Sequence, residues 1–157
     1  MPYPTLEAVG TERVIDIASL DRPAVFICYA EATQHGANAI EAAVRERYDA
    51  SRVLVAHVID LHTVPRMFHA VARNILNAEY EKAVAALPPG ETADDYVIIL
   101  PDWDGAFVTA TGLEDVTKRL GVAVFAGNGT LSGLASGETA AEETLRLLTD
   151  HIGEDTK

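Results

Sequence analysis

A chain of 157 residues, 48% apolar and 23% charged, fits one globular domain with a single sizeable core, so one domain over 1–157 is expected, its core spanning about 13–152. Twelve lysines and arginines against 24 aspartates and glutamates give a formal charge of −12, a surface that repels phosphate backbones and anionic lipid; neither nucleic acid nor a membrane is an expected partner. One cysteine excludes an internal disulfide and a paired-thiolate zinc site.

The opening twenty residues lack a basic start followed by an apolar core, and no window approaches ~18 continuous apolar residues, so a soluble cytoplasmic protein is expected. RVIDIASLDRP, 13–23, predicts a short strand and a turn ending at Pro23. AVFICYA, 24–30, is apolar throughout, the pattern of a strand covered on both sides. From there Ala37, Ile40, Val44 and Tyr48 recur at helical spacing, with Glu41, Arg45 and Glu46 on the other face. RVLVAHVID, 52–60, predicts a second buried strand. Thr63 is placed to cap a second helix with Pro65 in its first turn, where a missing N–H costs nothing, and PPG at 88–90 ends that helix near Leu87.

A polar loop, ETADD, leads to a third strand, YVIIL, at 96–100, closed by the turn sequence PDWDG. LEDVTKRL, 113–120, predicts a short helix. GVAVFAGNGTLSGLA predicts a hairpin turning at GNG, where positive φ is needed, and 139–152 a last helix burying Ala141, Leu145, Leu148 and Ile152. A strand, a β-α-β-α run, an extra strand with a short helix, a hairpin and a helix together imply an α/β protein with a mixed central sheet and helices on both faces.

Two stretches carry a family resemblance. RPAVFICYAEATQHGANAIE is similar to the segment of the thioredoxin-fold redoxins that leads into their Cys-x-x-Cys motif, and VIILPDWDGAFVTATGLEDVTKRLGVAVFAGNGTLSG to their later strand, turn, helix and hairpin. The resemblance, to a group that includes thioredoxin, membrane-tethered thiol reductases and peroxiredoxins, implies a thioredoxin-like three-layer fold. It also implies a reactive turn at the carboxyl edge of a central strand, where a helix N-terminus lowers a thiol pKa. Carried residue by residue, it puts Gln34 and Ala37 where the two family cysteines stand, and Gly121 where the family has a cis-proline. The peroxiredoxin pattern, Thr or Ser three residues before Cys, also fails, because the third residue after Thr33 is Gly36. The chain therefore reads as a divergent redoxin from which dithiol oxidoreductase activity is not expected. Cys28, inside the apolar run, reads as a small core side chain with little thiolate.

What remains is binding of a protein partner or a small ligand, with no cofactor and no metal expected. The candidates are Thr33, Gln34 and His35 on the reactive turn, Trp103 as a recognition ring, Arg119 before the hairpin, and a cationic ridge on the long helix. In that ridge Arg66, His69, Arg73 and Asn77 share one face, suited to an acidic patch on a partner or on a second copy of the chain. Val64, Phe68, Val71 and Ile75 share another face, the expected core stripe. The alternative is an enzyme: a single-cysteine oxidoreductase or peroxidase using Cys28, or a non-redox catalyst using His35 with Glu31 or Asp60, near which Asp102 also falls. The five histidines lack the spacing of a metal site and read as structural or solvated.

Overall fold

The computed structural model describes residues 3–152. Strands β1 (Leu6–Glu7) and β2 (Val14–Ile15) form a small antiparallel hairpin. Then come β3 (Ala24–Tyr29), α1 (Ala37–Arg47), β4 (Leu54–Asp60), α2 (His69–Ala85), α3 (Ala93–Tyr96), β5 (Ile99–Asp102) and α4 (Ala106–Thr111). The chain closes with β6 (Gly121–Phe125), β7 (Leu131–Ser136) and α5 (Ala140–Ile152). The main sheet has the order β5-β4-β3-β6-β7, with β3, β4 and β5 parallel and β6 and β7 antiparallel to their neighbours.

β3 is central because nothing in it needs water: Ala24 to Cys28 are fully buried. Alternation divides its side chains between two cores. Val25 and Ile27 face α1 and α5, meeting Ile40, Val44, Tyr48 and Leu148; Phe26 and Cys28 face Phe107 and Val108 of α4 and Leu6 and Ile15 of the hairpin. The mixed sheet with cover on both faces is thus the expected one. Gly129, in the GNG turn, has φ +86 as that turn requires.

Several elements depart from expectation. No helix forms in LEDVTKRL. The Asp115 carboxylate accepts hydrogen bonds from the Thr117 N–H (3.0 Å) and hydroxyl (2.5 Å), and the Val116 carbonyl accepts one from Thr33 Oγ1 (2.6 Å), so local and tertiary bonds compete with helical ones. The short helix lies earlier, at α4, and the third strand lies later, at Ile99–Asp102. α3 occupies the loop expected before that strand. Thr63 is not the cap of α2; the chain enters through a 3-10 turn at Arg66–Phe68, with Pro65 as its cap. In α5 the fully buried positions are Ala140, Thr144, Leu147 and Leu148, while Ala141, Leu145 and Ile152 pack from the margin.

The largest correction concerns α2. Of the expected core stripe, Phe68, Val71 and Ile75 are 51, 55 and 57% exposed, and the adjacent Met67 is 78% exposed. The half-buried positions are instead His69, Ala72, Leu76, Asn77, Tyr80, Ala83 and Val84. No residue of α2 is fully buried, in contrast to α1 and α5. The hairpin selects this face. Gly10, with φ +79, lies beneath the Tyr80 ring so closely that a Cβ there would collide with it. Gly10→Ala is therefore expected to cost more than about 1 kcal/mol of stability, since it adds both a clash and a disfavoured φ. Chemical denaturation measures this, and an unchanged midpoint would mean that Tyr80 does not dock on the hairpin.

Candidate functional site

Polar groups collect where the parallel strands end. β4 ends at Asp60 and β5 at Asp102, which are paired in register, and both side chains are buried. Asp102 is held by the helix that follows it: its carboxylate accepts from the N–H groups of Phe107 (3.2 Å) and Val108 (3.0 Å) at the start of α4. Burial pushes the Asp102 pKa up, and these two bonds oppose that rise. Asp60 takes the imidazole two residues on. His62 Nδ1 donates to Asp60 at 2.7 and 2.9 Å, the His62 backbone N–H donates to the same carboxylate at 3.0 Å, and Gly105 closes over the pair. The Asp60 side chain is 3% exposed and that of His62 43%, so the carboxylate is shielded while the ring reaches water. The hydrogen bond to Asp60 raises the His62 pKa, with smaller contributions from Asp115 and Asp102. The arrangement favours a histidinium on the surface over a free base.

The exit of β3 is different. Glu31, Gln34 and His35 are exposed on the turn before α1, and no hydrogen bond or ion pair among the described residues joins Glu31 or His35 to Asp60. Thr33 is half-buried and structural: its Oγ1 accepts from the Ala30 N–H (2.9 Å) and donates to Val116, tying the turn to the 114–120 segment. Arg119 is exposed, with its side chain packed along Gly137. Cys28 is 0% exposed, and burial drives its pKa well above the usual thiol range, with Asp102 and Asp60 adding to the rise. Across the sheet, His57 bonds Tyr29 Oη through Nδ1 (2.9 Å) and Glu41 Oε1 through Nε2 (2.8 Å). That network joins β3, β4 and α1 and gives His57 a structural role; no spacing in the sequence marks it. The His62–Asp60 pair was equally missed, although an Asp-x-His step at a strand end is the signal that could have found it.

A groove of about 690 Å³ gathers several of the other candidates. One wall is residues 4–11, the second is formed by Arg66 of the 3-10 turn and the α2 face bearing His69, Arg73 and Asn77, and the end of β5 with Trp103 and Asp104 lies between them. The four ridge residues thus share a surface turned toward the groove. Both His69 and Arg73 rest on Trp103: the imidazole and indole centroids are 4.5 Å apart, and the Arg73 guanidinium carbon lies 4.9 Å from the indole centroid. His69 Nε2 is 3.2 Å from the Val64 carbonyl, which orients the ring. Neither Arg66 nor Arg73 forms an ion pair among the described residues.

The His62–Asp60 pair gives a testable titration. A histidine whose folded pKa lies above the unfolded value near 6.5 adds stability that is complete below that pH and is lost as pH rises through the higher folded value. Asp60→Asn should return the His62 titration toward 6.5, as read by proton NMR of the ring. It should also cost stability mainly at and below neutral pH, by less than about 1 kcal/mol because the ring is exposed to water. A His62 titration unchanged by Asp60→Asn would sink this account.

No protein-family model matches the sequence, and no curated protein matches it. Solved structures do match. A thiol-disulfide isomerase from Corynebacterium glutamicum superposes with a TM-score of 0.66 at 12% identity, covering 98% of this chain and 96% of the other. A thioredoxin-like superfamily protein gives 0.65 at 13%, covering 100% and 99%. The exposed lipoprotein thioredoxin of Streptococcus pneumoniae gives 0.64 at 13%, covering 94% and 98%. At such identities the likeness is one of architecture, and with the strand order above it establishes that the chain has a thioredoxin-like fold.

Proposed function

We propose that this protein is a binding member of the thioredoxin-like fold that carries no dithiol chemistry, and that its partner docks in the groove between residues 4–11, Trp103 and the Arg66–Arg73 face. The observation that carries the reading is the state of the thiol. The sole cysteine of the sequence is fully buried in β3, and its pKa is driven up, whereas a redox nucleophile needs an accessible thiolate. The turn at the α1 N-terminus, where the resemblance puts the reactive pair, holds Gln34 and Ala37. The solved neighbours include a thiol-disulfide isomerase, so the scaffold supports such chemistry in other proteins; this sequence has a single thiol and no partner for it.

The binding half of the reading rests on the groove, which holds an indole and two guanidiniums without ion pairs in a chain of formal charge −12. A cytoplasmic location belongs to the same proposal, since that compartment keeps a lone thiol reduced. The protein is expected to leave insulin reduction and peroxide consumption at their uncatalysed rates, and a thiol reagent at neutral pH should label Cys28 slowly until denaturant is added. Turnover above background that Cys28→Ser abolishes, or rapid labelling of the native protein, would overturn the reading.

A further inference from the structure

We infer that the groove takes an extended acidic peptide segment of a partner protein, two of whose carboxylates meet Arg66 and Arg73; this rests on the binding role proposed above. Arg66 lies in the 3-10 turn that leads into α2 and Arg73 in the helix itself, seven residues on, about 12 Å along the axis at about 2.0 Å per residue in the turn and about 1.5 Å in the helix. In an extended chain, side chains two and four residues apart share a face and are separated by about 6.6 and 13 Å, a range that brackets the guanidinium spacing once the flexible arginine stems adjust. Both arginines are exposed and lack internal ion pairs in a chain with 24 acidic residues, so they are cations left available to an outside acid. Arg73 is also held in place by the Trp103 face, which lowers the ordering cost of a contact.

The other walls decide between a peptide and a compact anion. Glu7, Asp104 and Asp102, the last already bonded to the α4 N–H groups, also line the groove, and a small multiply charged anion seated between the arginines would be repelled by them. A peptide offers those carboxylates its amide N–H groups while offering its acidic side chains to the arginines. Charge complementarity then acts along the groove, as in interfaces where electrostatics sets the choice of partner. Asn77, on the same wall, can bond peptide groups through its amide.

Trp103 is the sole tryptophan of the sequence and lies in the groove, so its fluorescence reports occupancy directly. The probe is an acetylated, amidated eight-residue peptide alternating glutamate and serine; the controls are its lysine-serine counterpart and tripolyphosphate. The glutamate peptide should change Trp103 emission saturably, and the lysine peptide should not. Binding should weaken by roughly tenfold in Arg66→Ala/Arg73→Ala, and should weaken again as salt rises from about 50 to about 500 mM, where the screening length falls below the reach of the contact. Arg66→Lys/Arg73→Lys, which keeps the charge, should retain part of the affinity, and circular dichroism checks that each variant is folded. Several results would overturn the inference: no saturable change with the glutamate peptide, an equal response to the lysine peptide, or an unchanged affinity in the alanine variant. So would tighter binding of tripolyphosphate than of the peptide, or an arginine-dependent dimer by solution mass, which would make a second copy the occupant. The readouts are independent of redox turnover, so a protein that reduces insulin yet binds the peptide fails only the redox reading.

Discussion

Everything in this structure hangs on the pairing of β3, which lies between β4 and β6 and is sealed on both faces. A strand in that position cannot present a reactive side chain from its own length. Cys28 pairs in register with Val58 on one side and Gly121 on the other, and its sulfur faces the Phe26–Phe107–Phe125 core. Burial that gives the fold its stability therefore withholds the thiol from solvent, because the thiolate is the form an apolar core penalises. The turn that leaves β3 holds a carboxylate, a hydroxyl tied into a loop contact, an amide and an imidazole, with no thiol among them.

The features legible in the sequence were those in which one local pattern decides the outcome. AVFICY and LVAHVID read as strands because an uninterrupted apolar run has no place except between two layers, and Ala37, Ile40 and Val44 define a single stripe on α1. α2 resisted because it has two apolar stripes. Phe68, Val71 and Ile75 match a helical period as well as Ala72, Leu76, Tyr80 and Ala83 do, and periodicity does not rank them. The choice was made by a residue far away in the chain, Gly10, which makes room for Tyr80, and by Trp103, on which His69 and Arg73 settle. Arg66, His69, Arg73 and Asn77 line one groove, and the apolar stripe opposite them meets solvent.

α4 shows a second way for a local pattern to mislead. AFVTAT, rich in small and β-branched residues, has a weak helical tendency, yet Asp102 supplies acceptors for two of its first free N–H groups. LEDVTKRL has the better helical composition and loses it, because Asp115 engages Thr117 and Thr33 holds Val116. In both places side-chain hydrogen bonds to the backbone outweigh propensity differences of a few tenths of a kcal/mol per residue. The His62–Asp60 pair follows the same logic at the neighbouring strand end, where a short polar side chain captures a group two residues on.

These constraints separate two polar regions of the fold. The turn after β3 is an exposed polar loop anchored through Thr33. The groove depends on none of that. It is built from the hairpin, the end of β5 and α2, with β4 standing between β5 and the central strand, and its cations are arranged by the Trp103 ring and by the helical spacing of Arg66, His69 and Arg73. The loose attachment of α2 fits the same division. A helix with no fully buried residue is secured by less apolar burial than the sealed layers around β3, so it is the element of this frame that opens at lower cost.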